Sequence, residues 1–408
     1  MTTGKLRIII VIWLVLVASA YPAAAINYNG KGIWITPAEV AALPTSGPAW
    51  DRLKSEADKS TGTPDLSNQD DSTNVRVMAK ALVYARTGEA KYREDVIAAC
   101  MAAIETENGG RTLALGRELI AYVIAADLVG LPSDKDDVFK AWLQDVRYEN
   151  LSGKTLISTH EDRPNNWGTH AGASRAAVAV YLGDSDEIER SAKVFKGWLG
   201  DRDAYADFSY GDLSWQCDPD NPVGINPAGC TKNGHSIDGV IPDDQRRGGI
   251  FSWPPPKENY VYEGLQGAQA QAVILYRQGY DTWNWEDKAL LRAFQWLHGQ
   301  ADFEAGSDDT WEPHLINHFY GANFPAPIPS SPGKNVGWTD WTHSGAETTP
   351  CAVEGDLNHD GDITVSDLQV LVNIIMGSSS WNTCADLDNN NTVDIKDLQL
   401  EVNHLVGS

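Results

Sequence analysis

The sequence predicts a mainly α-helical protein, with a large domain of helical hairpins closed into an α/α barrel, or toroid, followed by a small all-α module. Three observations predict it. Apolar residues recur at helical spacing in eight segments between residues 75 and 297. Three of those segments end in the same kind of glycine–acid turn. The C-terminal residues hold two copies of a short acidic loop, each running into a brief apolar helix.

In chain order, residues 1–25 read as a secretory signal. Lys5 and Arg7 give a positive start, residues 8–18 are apolar but too few to span a bilayer, and Ala23, Ala24 and Ala25 supply small residues for cleavage. No later stretch is apolar enough for a membrane span. The expected protein is secreted, in the periplasm, at the cell surface or in the medium.

The large domain is expected over 26–345. Helices are predicted around 75–84, 96–104, 115–128, 138–146, 171–182, 188–199, 265–276 and 289–297. The turns are Gly88-Glu89, Gly183-Asp184 and Gly279-Tyr280-Asp281, where glycine suits a left-handed cap and the acid suits the next helix start. Helical hairpins too few and irregular for an open solenoid suggest a toroid, whose concave face would hold a polymer. Residues 201–256 break the pattern with Gly, Pro, Asp and Asn, as do residues 325–350, and 346–354 are expected to be a linker.

The chain has five cysteines. In an oxidising compartment Cys217 pairs with Cys230, ordering a lid over the cleft, and Cys351 pairs with Cys384. Cys100, in an apolar helix, is expected to be a buried free thiol. The net charge of -24 argues against nucleic acid as a partner, because phosphates would be repelled. The chain also carries 15 Trp and 14 Tyr; many belong to the core, and a surplus in an exported protein also fits a cleft whose rings stack on sugars.

The sharpest motif lies at 355–408. Asp356, Asn358, Asp360, Asp362, Thr364 and Asp367 occupy calcium-loop positions 1, 3, 5, 7, 9 and 12, with Gly361 at the sharp turn. Asp386, Asp388, Asn390, Thr392, Asp394 and Asp397 repeat the spacing 30 residues later, with Asn391 at the turn. Hard oxygens so spaced wrap one Ca2+ each, two ions in all. A solvated acidic tail is the plain alternative, but two loops in register argue against it. The tandem loops, the Asp at position 12 and the following Leu-Gln resemble dockerin modules, an EF-hand-like family. The resemblance implies a cohesin-type protein partner. Residues 351–408 hold 10 acidic and 1 basic residue, so much of the acidity belongs to this module.

Two stretches of the large domain carry candidate chemistry. The first is Arg163-Pro164-Asn165-Asn166-Trp167-Gly168-Thr169-His170, running into a helix that ends at Gly183-Asp184. The second is Glu258-Asn259-Tyr260-Val261-Tyr262-Glu263, continuing to Gly279. Together they resemble the alginate lyase family, α/α-barrel enzymes that cleave polyuronates by β-elimination. The resemblance implies a Tyr acting as base and acid at the second helix start and an Arg upstream of it, either Arg246 or Arg247. Trp167 stands where the better-known branch has its His, and His170, one turn on, is the expected substitute. The implied catalytic set is Asn166, His170, Arg247 and Tyr262. Asn165, Trp167, Arg246, Trp253, Tyr260, His314, His318 and Tyr320 are expected to bind the anionic polysaccharide, and catalysis needs no cofactor.

The chemistry asks for these residue types. Removing the weakly acidic C5 proton of a uronate requires its carboxylate to be neutralised, which amide, imidazole and guanidinium groups can do. A base then takes the proton, and an acid protonates the departing 4-oxygen. Asn165 and Asn166 could instead merely cap a helix. His314 and His318, at i and i+4, could be metal ligands, although no third ligand is near in sequence. Two rival readings stay open. An α/α-barrel glycoside hydrolase would use two carboxylates from Asp162, Asp243, Asp244, Glu263 and Glu312. A non-catalytic carbohydrate-binding or scaffold protein would act through its dockerin-like module.

Overall fold

All eight predicted segments are helical in the computed structural model, which describes residues 30–329, 331–344, 355, 357, 363–375, 385, 387–388 and 393–406. The longer helices of the large domain are α2 (Pro48–Ala57), α3 (Thr73–Thr87), α4 (Ala90–Ala103), α5 (Thr112–Val129), α6 (Ser133–Val146), α8 (Asn166–Leu182), α9 (Ser185–Leu199), α11 (Tyr260–Tyr276) and α12 (Trp285–Gly299). Shorter ones are α1 (Pro37–Ala42), α7 (Leu156–Asp162), α10 (Pro242–Gln245), α13 (Glu312–Tyr320) and α14 (Thr339–Thr342). A small antiparallel hairpin joins β1 (Thr231–Lys232) to β2 (His235–Ser236).

Sequence pattern explains the layering. Every residue of α5 is buried, in keeping with a helix that is apolar apart from Arg117, Glu118 and Asp127. The helices α3, α8 and α11 are nearly as buried, whereas α6 and α9 bury one face and expose the other. In space α3 packs on α5, α5 on α8, α8 on α11, α11 on α13, α13 on α14, α14 on α2 and α2 on α3. The helices α4, α6, α9 and α12 lie against this inner set. Gly88 and Gly183 end α3 and α8 in the left-handed conformation, each with φ of 71°, and Asp184 caps α9 through the backbone N–H of Glu187.

The segment 331–343, whose composition suggested a loose loop, is packed onto the N-terminal helices. Trp338 Nε1 donates to the carbonyl of Val75 (2.7 Å), Trp341 Nε1 donates to that of Pro44 (2.9 Å), and Asp340 pairs with Arg52. The two buried tryptophans outweigh the irregular backbone, since a buried aromatic side chain contributes roughly 2 to 3 kcal/mol. Cys217 and Cys230 form the expected disulfide, and Cys100 is free and buried.

In the C-terminal segment, α15 (Val365–Ile375) and α16 (Ile395–Val406) pack together over Leu357, Leu371 and Ala385. The two copies are closed by the same pair of backbone hydrogen bonds. Asp367 accepts from the backbone N–H of Leu357 and Thr364, both at 2.8 Å, and Asp397 accepts from Leu387 and Asp394, both at 2.8 Å. Residues 1–25, the linker 346–354, Cys351, Cys384, Asp356, Asn358, Asp360, Asp362, Asp386, Asn390 and Thr392 lie outside the described residues. Among the described residues, no helix is long and apolar enough to cross a membrane.

Candidate active site

Several helix starts converge on a cavity of about 500 Å³. One wall is Arg163, Asn165, Asn166 and Trp167, where α8 begins. Facing it are Glu258, Asn259, Tyr260 and Glu263, where α11 begins, together with Arg246 and Arg247 from the turn after α10. Arg111, Leu113 and Arg117 of the α5 start, Gln69 and Asp70, and Lys334 complete the lining. Six of these side chains are cationic and three acidic, the reverse of the balance over the whole chain. Such a cavity attracts anions despite the overall charge, because nearby fixed charges dominate over screened distant ones.

The two asparagines divide their work. Asn165 is the N-cap of α8: its side-chain oxygen accepts from Trp167 N–H (3.3 Å), and its Nδ2 donates to Asp243 (2.9 Å). Asn166 donates its backbone N–H to Asp244 (3.1 Å), yet its own Nδ2 and Oδ1 are buried with no hydrogen-bond partner among the described residues. Unpartnered buried amides are rare enough to need an explanation. Gly168 follows because a Cβ there would sit 1.8 Å from the Arg163 carbonyl oxygen, which the first turn of α8 closely overlies.

The cations fall into two groups. Arg117 pairs with Glu263, and Arg246 makes a two-pronged pair with Asp243 (2.7 and 3.2 Å). Lys334 lies 3.4 to 3.9 Å from Asp308, Asp70 and Glu263. By contrast, Arg111 and Arg247 make no ion pair among the described residues, and Arg163 has only Asp162 at 3.8 Å. Arg247 instead lies over the Tyr260 ring at 4.2 Å, while Arg111 and Arg163 lie over Trp167 at 5.5 and 5.7 Å.

The expected tyrosine is a correction. Tyr262 is 0% exposed, and its hydroxyl donates to the Phe303 carbonyl (2.6 Å). Burial, then the carboxyls of Glu312 and Asp309, push its phenol upward, away from proton transfer at neutral pH. Tyr260 is 38% exposed and lines the cavity. Two residues turn a helix by roughly 200°, so only one of the pair can face the cavity.

His170 is also displaced from its expected role. It is fully buried, with Nδ1 against Asn335 Nδ2 (3.2 Å) and Nε2 3.9 Å from Glu263, too far for a hydrogen bond. Burial lowers it to about 4, so it is neutral at pH 7. Burial alone would raise Glu263, but Arg117, paired with it, and Lys334 hold it at about 2, ionised. Glu263 therefore stands between His170 and the cavity.

Trp253, His314, His318 and Tyr320 do not line the cavity. Trp253 stacks on His235 at 4.3 Å, Tyr320 donates to the Trp283 carbonyl (2.7 Å), and His318 meets His343 edge-on. Burial lowers His314, which packs near Asp340. No group of three or more His, Cys, Asp or Glu among the described residues could hold a metal ion. The disulfide loop is not a lid, because none of residues 217–230 reaches the cavity. Of the five carboxyls a hydrolase could use, only Glu263 lines the cavity; Asp243, Asp244 and Glu312 are buried, and Asp162 bonds Lys154 and Ser209.

Sequence reasoning missed Arg111, Arg117, Arg163, Lys334 and Asn335. Arg163 sat in the quoted motif and could have been found there. The others come from segments with no local signal, and only the helix packing brings them in.

The Alginate lyase family model matches residues 44–207. The matched stretch contains Arg111, Arg117, Arg163, Asn165 and Asn166, and it stops before Arg246 and Tyr260. No curated protein matches the chain.

Proposed function

We propose that the protein is a polysaccharide lyase that cleaves a polyuronate, of the alginate, polymannuronate or glucuronan type, by β-elimination. The observation that carries this reading is the juxtaposition at the cavity: the unpartnered Asn166 amide on one wall, and the exposed Tyr260 beside the unpaired Arg247 on the other. The match of residues 44–207 to the Alginate lyase family supports it. The cyclic order of helix contacts supports an α/α barrel over 26–345, with the cavity at the open ends of its inner helices.

Asn166 Nδ2 and the Arg247 guanidinium donate to the substrate carboxylate, spreading the negative charge that appears as the C5–H bond breaks. The Tyr260 oxygen, entering the step as phenolate, takes the C5 proton. The electron pair forms the C4=C5 double bond, the C4–O bond breaks, and the departing oxygen recovers a proton from the tyrosine hydroxyl. The phenolate that begins and ends the cycle lies beside Arg247 and at the N-terminus of α11, where both favour negative charge. Glu263, held ionised, is suited to orienting Arg117 and Lys334 and not to donating a proton. Incubation with polymannuronate, polyguluronate and glucuronan tests the reading. A lyase raises ultraviolet absorbance as the unsaturated uronate forms. Reducing ends without absorbance mean a hydrolase, and binding without either means a carbohydrate-binding protein.

The C-terminal segment is read as a dockerin-like module at 355–408 that takes two Ca2+ and docks a cohesin-type protein. Its supporting observation is the matched closure of both loops by Asp367 and Asp397. Thr364, Asp367, Asp388, Asp394 and Asp397 would hold the ions with the remaining motif residues, and bound calcium would neutralise the loops so that the helices pack. Chelation should abolish amide-exchange protection across 363–375 and 393–406 while turnover persists. Loss of turnover on chelation would instead place a metal in the catalytic domain. Removal of 1–25 on secretion and a Cys351–Cys384 bridge complete the proposal, both checked by mass mapping of the exported protein.

A further inference from the structure

The geometry points to a second carboxylate-binding subsite beside the reaction centre, formed by Arg111, Trp167 and Arg163, which seats a neighbouring uronate of the same chain. It rests on the polyuronate reading and deepens it.

One uronate carboxylate at the reaction centre occupies Asn166 and Arg247. The cavity wall then still holds two guanidiniums without a close carboxylate. Arg111 is fixed by a neutral partner, its Nη2 donating to Gln69 Oε1 (2.9 Å), and Arg163 has an acid no nearer than 3.8 Å. Both lie over the Trp167 ring, at 5.5 and 5.7 Å from its centre, in cation–π contact. Trp167 is half-buried and adjoins Asn166 in sequence, so the cluster is one residue from the proposed reaction centre. A guanidinium fork matches a planar carboxylate, and a pair of forks on an aromatic spacer is poorly suited to a neutral sugar. Arg117 and Arg246, already paired with Glu263 and Asp243, are not available for this role. The ligand class is therefore an oligomer with a carboxylate on consecutive residues, and a single monosaccharide would fill only part of the cavity.

Equilibrium binding of a saturated hexauronate, measured in a Tyr260→Phe background so that the ligand stays intact, tests this directly. Arg111→Gln with Arg163→Gln should weaken binding by roughly tenfold, the loss of two exposed charge contacts. Raising the salt should then weaken binding less than it does with both arginines present. Arg111→Lys with Arg163→Lys should recover part of the affinity, which a purely structural role would not allow. A carboxyl-reduced hexasaccharide should bind weakly to every form. Hexauronate affinity within twofold of the parent in the double Gln variant, which changes only exposed or half-exposed side chains, overturns the subsite. Absence of unsaturated product from the wild-type enzyme, with the affinity loss intact, would instead remove the lyase chemistry and keep the subsite.

Discussion

The starts of α8 and α11 face each other across the cavity, and each presents a matched pair of polar side chains. At α8 the pair is Asn165 and Asn166, and at α11 it is Tyr260 and Tyr262. In each pair the fold occupies one member and leaves the other to the cavity. The occupied member comes first at α8 and second at α11. The N-cap position explains the first case, because a capping oxygen must turn back to the N–H of the second helical residue. Helix rotation explains the second, because two steps carry Tyr262 round to the core, where Phe303 and Phe294 enclose it. Residue type therefore identifies the chemistry, and local geometry decides which copy performs it.

The largest expected effect separates the tyrosines. Tyr260→Phe should lower turnover by at least about a hundredfold with substrate binding largely kept, as expected for loss of an acid–base group. Tyr262→Phe should keep near-normal turnover and lose about 1 kcal/mol of stability, the worth of one buried hydrogen bond. Steady-state kinetics with thermal melts of both variants decides it. Reversed outcomes would show that α11 turns to face the cavity with Tyr262 when substrate binds.

The asparagines should differ in the same way but less sharply. Asn166→Ala removes a donor to the developing charge, and a loss of turnover on the order of thirtyfold to a hundredfold is expected. Asn165→Ala should cost about 1 kcal/mol of stability through the lost cap and only a few-fold in rate. Equal kinetic losses would mean that the cap and the donor act as one unit, held together by Asp243 and Asp244.

Much of the fold was legible because the inner helices are apolar enough to declare themselves. Residues 115–128 read as helix from composition alone, and Gly88 and Gly183 marked their helix ends correctly. Segment 331–343 was not legible. Its tryptophans find partners more than 250 residues away, such as Val75 and Pro44, and no local pattern encodes that. The site was half legible for the same reason. Asn166 and Arg247 stood in recognisable segments, but the choice between Tyr260 and Tyr262, the burial of His170 and the arrival of Lys334 are consequences of packing.

His170 offers a smaller effect, with a pH signature. It acts on the site only through Glu263, so His170→Gln should lower turnover by about tenfold and not more. Its folded-state pKa of about 4 lies below the ordinary 6.5, so the unfolded chain takes up the proton first on acidification. The stability that His170 contributes is present above pH 6.5 and is lost as pH falls from about 6.5 to about 4. The total is on the order of 3 kcal/mol for a fully buried ring. His160 and His343 are buried and lowered likewise, so the difference between wild-type and His170→Gln melting curves isolates this one group. A difference that does not vary with pH would show that His170 binds protons equally in the folded and unfolded chain, and one that grows as pH falls would show that it is charged in the fold and paired with Glu263.

The smallest kinetic effect is expected from the segment that joins the two helix starts through Arg246. Cys217 and Cys230 close a loop of sequence separation 13, and removing such a tie costs up to about 3 kcal/mol through the freed unfolded chain. The loop has other anchors. Asn226 donates to the carbonyls of Trp215 and Ile237, its side-chain oxygen accepts from Cys217 N–H, and its carbonyl accepts from Arg292. Arg246 is held by Asp243, which also receives Gly211 N–H, so its position is set outside the disulfide. Replacing both cysteines by Ser should therefore lower the melting temperature while KM and turnover stay within about twofold. A tenfold rise in KM would return the loop to the role of a lid over the cavity, and would mean that the facing helix starts are covered by a segment that moves to meet the substrate.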